Sequence, residues 1–552
     1  MVTVLSVAVD DPASAHVRTR PINRAVSSPA AMQTARKWID NCQNNHTLCT
    51  KRGSTLLPTR VVLVQGTPRV IDRPSDPGHA CGDYTALSYC WGGDQPHKLT
   101  GETLSRFCKM LPDDLPQTLK DAIKLTRELG YDYLWIDALC ILQDSPTDKI
   151  REIGKMPQIY HNASVTIVAA SSASSSAGFL QDRVAHGPDR ELFKLQLQCN
   201  DGRRGNITIA RTYDDWNVTE DEKLDPPDRR AWILQEAMLS PRRLLYGSRQ
   251  MYWACQTAVE WDGPADKTNY GLDRMGLPEE LWDNDTAINA LRWNVGEEYI
   301  LGRWGELVEE STSRGLTLHD DRLLVMSGIA DRFAKYLDSQ YLAGLWRCNL
   351  INDLLWYCED SIPDTATAKS EYFAPSWSWG ATYGKLRWSL PMRQPLTRID
   401  VPLVEVVDAH VELQSDAAPF GNVKSGHLKL TGRFKQATTD NAGSLQGIGT
   451  HKPGLPSFKI THLLDITDSS KTCLGSKPVA YLFVRSSEAG MVFRDCSGLI
   501  IEKTQSIQDT WRRVGVFNVK WDPNDPLMTN QSTTQLFDQN FSDWPLRTLT
   551  VI

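Results

Sequence analysis

Between Arg229 and Arg242 the chain reads R-R-A-W-I-L-Q-E-A-M-L-S-P-R, so an adjacent cation pair, a Trp, an amide and a single carboxylate share one short segment. Trp232 and Glu236 are one helical turn apart and on a helix would lie on one face. A lone carboxylate beside an aromatic wall, with Arg229 and Arg230 just upstream, suits a polar site set into an apolar surface; the plainer role is a helix-start carboxylate satisfied by the dipole or an Arg. Ser240-Pro241 closes the segment, because the residue before Pro is pushed out of helical geometry.

Other groups with chemical potential are dispersed. Asp137 interrupts the apolar run Tyr131–Ile141, and a buried carboxylate needs a partner, for which backbone or a nearby Arg is favoured over catalysis. Cys42, His46 and Cys49 form C-x3-H-x2-C, three zinc-type ligands where a structural site needs four. The next cysteine is Cys81, and nothing in the spacing fixes its position. A packed helix end is therefore the expectation, with no metal. Cys140 and His161 make a weak thiol-hydrolase pair, since Cys140 lies in a buried-strand pattern.

The elements that must position these groups follow from periodicity. Residues 31–42 repeat with helical spacing, and residues 58–71 read as two strands about Gly66-Thr-Pro. Tyr84–Cys90 is largely apolar on both faces, as in a central strand, and ends in Trp91-Gly-Gly. Loops after the carboxyl ends of parallel strands are where open α/β sheets bind ligands. Leu119, Ala122, Ile123, Thr126 and Leu129 mark a helix that Gly130 stops, and Tyr131–Ile141 reads as a second buried strand, so the sheet is expected to be parallel. Ser145 opens another helix, which Pro157 should kink or shorten. Ser164–Ala170 is a third strand, and the Ser-rich run after it is either a flexible turn or a place of close approach. Strand-like runs follow at 192–197 and 206–210, and a hairpin about Gly247 at 243–255.

Length and composition set the frame. With 552 residues the chain is too long for one core. A net charge of −7 argues against binding nucleic acid by charge alone. The 12 cysteines sit mostly in apolar runs, as reduced thiols do, so a cytoplasmic location is expected. No apolar run is long enough to span a membrane.

These blocks resemble the fungal heterokaryon-incompatibility (HET) domain. The stretches that carry the resemblance are Y-T-A-L-S-Y-C-W-G-G (84–93), L-P-Q-T-L-K-D-A-I-K-L-T-R-E-L-G-Y-D-Y-L-W-I-D-A-L-C-I-L-Q-D (115–144), M-P-Q-I-Y-H-N-A-S-V-T-I-V-A-A-S-S (156–172) and R-A-W-I-L-Q-E-A-M-L-S-P-R (230–242). Ala231 stands where Gly is usual, and Pro157 is unusual. The resemblance implies non-self recognition and regulated cell death in filamentous fungi, and an α/β fold similar to TIR domains, which are flavodoxin-like. Some TIR domains hydrolyse NAD through the Glu of a W-C-x-x-E segment; Trp232 and Glu236 keep that spacing, with Ile233 in place of the Cys. On this reading Glu236 is catalytic, and Ser88, Trp91, Asp137, Gln143, Arg230 and Trp232 line the substrate site. NAD is a substrate, and no cofactor is expected. The alternative is a non-enzymatic module that self-associates or binds a protein partner.

The expected organisation is a disordered tail over 1–30, a lead-in helix and strands over 31–79, the HET domain over 80–262, a mainly helical region over 263–395 and a β-rich domain over 396–552. Leu316–Leu337 and Tyr341–Tyr357 carry helix-like patterns, and Pro375–Gly380 is an aromatic turn expected to pack against the HET core. Without a P-loop, repeat array or coiled coil, activation is expected to need another protein or release of a clamp formed by the C-terminal half.

Overall fold

The β-branched and aromatic runs of the first half join in one mixed sheet, and the later strands form another. The computed structural model describes residues 3–8, 10–17, 20–21, 23–49, 55–183, 191–211, 225–263, 277, 281, 296–316, 318–359, 372–388, 398–416, 418–439, 445–446, 448, 452, 454–465, 478–489, 493–504, 509–528 and 531–552. The chain divides into two compact units, Met1–Leu291 and Arg292–Ile552.

The first unit opens with β1 (Thr3–Ser6), α1 (Pro29–Asn45), β2 (Arg60–Leu63) and β3 (Arg69–Asp72). Next come β4 (Tyr84–Ser88), α2 (Gly101–Phe107), α3 (Gln117–Glu128), β5 (Tyr133–Trp135), α4 (Asp137–Cys140), α5 (Pro146–Asn162) and β6 (Val165–Val168). It continues with β7 (Glu191–Gln198), β8 (Arg204–Arg211), α6 (Ala231–Leu239), β9 (Arg242–Tyr246), β10 (Met251–Cys255) and β11 (Val259–Trp261). The main sheet runs β11-β10-β9-β6-β4-β5-β2-β3. Its centre is parallel: β9 beside β6, β6 beside β4 and β4 beside β5. Both flanks are antiparallel, so the sheet is mixed and not parallel as expected. The flanks come from hairpins whose two-strand signals are local, at Gly66 and at Gly247, and a hairpin can only add antiparallel strands.

β4 is buried at every position, as an apolar strand covered on both sides requires. The second strand is shorter than expected. After Trp135 the chain turns into α4, with Ile136 as its N-cap and the Ile136 carbonyl accepting from Leu139 and Cys140 N–H. Asp137 therefore sits on the first turn of a helix, where a carboxylate meets free backbone N–H groups. The helix α5 runs through Pro157 without ending there, with Ser145 Oγ accepting from Asp148 N–H at its start.

Residues 1–30, expected to be a tail, instead contribute β1, which pairs antiparallel with β8, itself paired with β7. Asp11 accepts from Ala13 N–H and Asn206 N–H, which ties the segment to that small sheet. These bonds join residues far apart in sequence, so no local periodicity announces them.

In the second unit, α7 (Glu297–Ser313) and α8 (Leu324–Leu337) carry the helical expectation. Most of 264–295 lies outside the described residues. Tyr341–Tyr357 is not one helix: Ala343 and Gly344 have positive φ and turn Tyr341–Leu342 back on Leu345–Trp346. The aromatic turn donates Trp379 Nε1–H to the Gly344 carbonyl and accepts Trp356 Nε1–H at the Trp377 carbonyl, contacts within this same unit. The β-rich expectation holds over the long strands Val404–Leu413, Val423–Gln436, Val479–Ala489, Phe493–Lys503 and Thr510–Trp521. Their sheet is antiparallel but for Thr510–Trp521 beside Leu546–Val551, and it packs Phe483, Phe517, Phe541 and Trp544 into one apolar cluster.

Candidate functional site

The site lies at the carboxyl ends of β4 and β5. Ser88 is the last residue of β4, Asp137 lies two residues after the end of β5, and Glu236 comes from α6. α6 is apolar around most of its circumference, so it is buried and packs against α5. That burial, and not an exposed polar face, decides the surroundings of Glu236.

Glu236 is 7 % exposed and Ser88 2 %. Burial pushes the Glu236 carboxyl up to about 8, the Ser88 hydroxyl working against that shift and the nearby Asp137 charge adding to it. Arg230, the N-cap of α6, lowers it by its charge and donates Nη1–H to the Tyr89 carbonyl at 3.1 Å. The Tyr160 hydroxyl from α5 also faces the carboxyl, and it donates to the Leu87 carbonyl at 3.1 Å. Ser88 influences the Glu236 carboxyl, yet Ser88 Oγ and Glu236 Oε2 are each buried without a hydrogen-bond partner.

Burial raises the Asp137 pKa too, but here N–H groups oppose it. Trp91 Nε1–H donates to Oδ2 at 2.7 Å and Ala138 N–H to Oδ1 at 2.6 Å, both favouring the charged form. Two carboxyls in one buried site do not ionise equally readily. Hydrogen bonds to Asp137 favour its charged form against the burial that raises it, whereas Glu236, raised to about 8, holds a proton at neutral pH.

The remaining expected residues have other tasks. Gln143 donates its amide to the carbonyls of Asp137 and Ile141, so it clasps the backbone of α4. Trp91 presents its N–H to Asp137, so its polar edge is engaged. Trp232 lies half-buried on the turn before Glu236, whereas the groups around the carboxyl come from β4, α4 and α5. Sequence reasoning missed Tyr89 and Tyr160; Tyr89 lies inside the Y-C-W-G-G run, and Tyr160 shows only as one more apolar helix position.

Two further contacts hold the site's frame. Arg60 on β2 forks onto Asp148 at 2.9 Å and donates to the Cys140 carbonyl at 3.0 Å, which fixes the end of α4. Gly92, with φ +73°, passes so near Ser174 that an added Cβ would lie 2.2 Å from the Ser174 Cβ. The Ser-rich run thus serves close backbone approach: Ser175 N–H donates to the Trp91 carbonyl at 3.1 Å and Ser175 O accepts from Thr118 N–H. Cys140 is fully buried, and its thiol is pushed up to about 12, so it stays protonated and is no nucleophile.

Residues 84–236 match the family model described as Heterokaryon incompatibility protein (HET). Over these residues the chain carries a HET domain. The matched HET region begins at the first residue of β4 and ends at Glu236, and so contains Ser88, Tyr89, Trp91, Asp137, Tyr160 and Arg230 as well. No curated protein and no solved structure matches the chain. No helix among the described residues is long and apolar enough to cross a membrane.

Elsewhere in the first unit, the Cys42-His46-Cys49 run gains a residue that spacing alone did not supply. Cys255, at the end of β10, places its sulfur with their ligand atoms, all within 4.8 Å of one another.

Proposed function

We propose that this HET domain acts in fungal non-self recognition and regulated cell death by cleaving the nicotinamide–ribose bond of NAD. The observation that carries the reading is the pair of unpartnered buried polar atoms, Ser88 Oγ and Glu236 Oε2, at the carboxyl end of β4. Among the parallel strands in chain order, β4, β5, β6 and β9, the spatial order is second-first-third-fourth. That is the beginning of the flavodoxin-like order, whose ligands bind where the order reverses, beside the first strand. It supports the TIR-like reading of the fold.

In the proposed reaction the glycosidic bond breaks with its electron pair leaving on the nicotinamide nitrogen. The departing nicotinamide is neutral and needs no proton, while positive charge grows on the ribose. An ionised Glu236 stabilises that charge and accepts a hydrogen bond from a ribose hydroxyl; Ser88 Oγ meets the same sugar. Water then adds to the ribose carbon and loses a proton to solvent. Glu236 must first give up its proton, so turnover rises with pH towards about 8. Arg230 and the cationic nicotinamide both act to lower that value.

The burial of Glu236 favours a second reading, a non-enzymatic module that self-associates or binds a partner, with the protonated carboxyl holding α6 to β4. Incubation of the full-length protein with NAD, wild type beside Glu236→Ala, separates the two. NAD loss that disappears in the variant supports cleavage. No loss at high protein concentration, or equal loss in both, refutes it and leaves the interaction module.

A further inference from the structure

We propose that Cys42, His46, Cys49 and Cys255 form a structural zinc site of the Cys3His type. The four ligand atoms lie within 4.8 Å of one another. Tetrahedral zinc with sulfur at about 2.3 Å and nitrogen at about 2.05 Å needs S···N separations of about 3.5 Å and S···S separations of about 3.8 Å. His46 Nδ1 lies 3.8 Å from Cys49 Sγ and 3.3 Å from Cys255 Sγ. The ligands come from two rigid elements. Cys42 is in the last turn of α1, His46 is its C-cap and Cys49 follows closely; Cys255 ends β10.

The surroundings suit thiolates. Zinc with three thiolates and a neutral imidazole carries one net negative charge, and binding releases three thiol protons to solvent. Buried Arg242 offers the matching positive charge, its Nε–H donating to Cys42 Sγ at 3.3 Å. Ala258 N–H donates to Cys255 Sγ at 3.4 Å, and the Thr257 hydroxyl lies 3.4 Å from Cys49 Sγ. The Asn41 amide lies 3.3 Å from His46 Nε2, the nitrogen that would not bind metal. Asn41 Oδ1 here accepts from Asn45 Nδ2–H at 2.7 Å; with both amides turned by half a rotation, Asn41 donates to Asn45 instead and presents its oxygen to an Nε2–H, which orients the ring for ligation through Nδ1. Four protein ligands close the coordination shell, so the zinc staples α1 to β10 and does no chemistry.

The test uses the full-length chain purified without a polyhistidine tag or added chelator. Elemental analysis should find about one zinc per chain. Replacement by cobalt should give the intense visible bands of a tetrahedral thiolate site, and X-ray absorption should count three sulfurs and one nitrogen. Cys255→Ser should lose the zinc, whereas Cys81→Ser, at an exposed cysteine outside the cluster, should keep it. Asn41→Ala should weaken retention against a competing chelator by about 10- to 100-fold. The wild-type spectra need no folded variant, so they decide the matter even if Cys255→Ser does not fold. Metal-free wild type that takes up neither zinc nor cobalt overturns the site, as does a disulfide among these cysteines, or zinc fully retained in a folded Cys255→Ser.

Discussion

Replacing Glu236 by Gln should change the pH dependence of stability in a calculable way. The carboxyl has an ordinary value of 4.5 and a folded value of about 8. Between these values the folded state keeps a proton that the unfolded state has released. The stabilising contribution present below the unfolded value is therefore lost as pH rises towards the folded one. Relative to low pH, the loss amounts to under about 1 kcal/mol at pH 5 and about 3 kcal/mol at pH 7. Gln cannot ionise, so the variant escapes it. Its amide differs from a protonated carboxyl in how it meets the nearby Ser88 and Tyr160, but that difference does not depend on pH. Urea unfolding of both proteins at pH 5, 6, 7 and 8 should show the variant gaining on wild type by about 2–3 kcal/mol from pH 5 to pH 7. A gap that stays flat, or that moves the other way, would refute the protonated, buried Glu236.

Two other perturbations test the frame around the site. Gly92→Ala should cost about 1–3 kcal/mol by thermal unfolding, because φ is +73° and the new Cβ meets Ser174; Gly66→Ala, with φ +62° and open space around it, should cost less. Equal costs would mean that the two loops do not pack as described. Arg60→Met should cost about 3–5 kcal/mol at pH 7, since Asp148 and Asp72 lose a buried partner. Burial raises the Asp148 pKa, yet the Arg60 fork and Leu142 N–H hold it below its ordinary value. That contribution exists above the unfolded pKa and is lost as pH falls, so denaturation curves of wild type and variant should converge in acid; curves that keep their separation below pH 3 would contradict the pairing.

What the sequence by itself determined is what depends on near neighbours. Helical spacing marks α1 and α3, turn residues mark the hairpins at Gly66 and Gly247, and the ordered blocks from Tyr84 to Glu236 mark the HET region. Residue types and spacing also singled out Glu236, Asp137 and the C-x3-H-x2-C run. Tertiary structure decided which of these meet and in what medium. Packing of α6 on α5 turned Glu236 from a helix-surface carboxylate into a buried proton holder, a change no spacing encodes because desolvation depends on what covers the group. The helical turn at Asp137 gave that carboxyl the Ala138 N–H and the fold brought it the Trp91 indole N–H, where the strand reading expected backbone or a nearby Arg. Cys255 stands 209 residues after His46 and reaches it only because β10 folds beside α1. A cluster of ligands is a property of positions in space, and the chain reveals it only when it is folded.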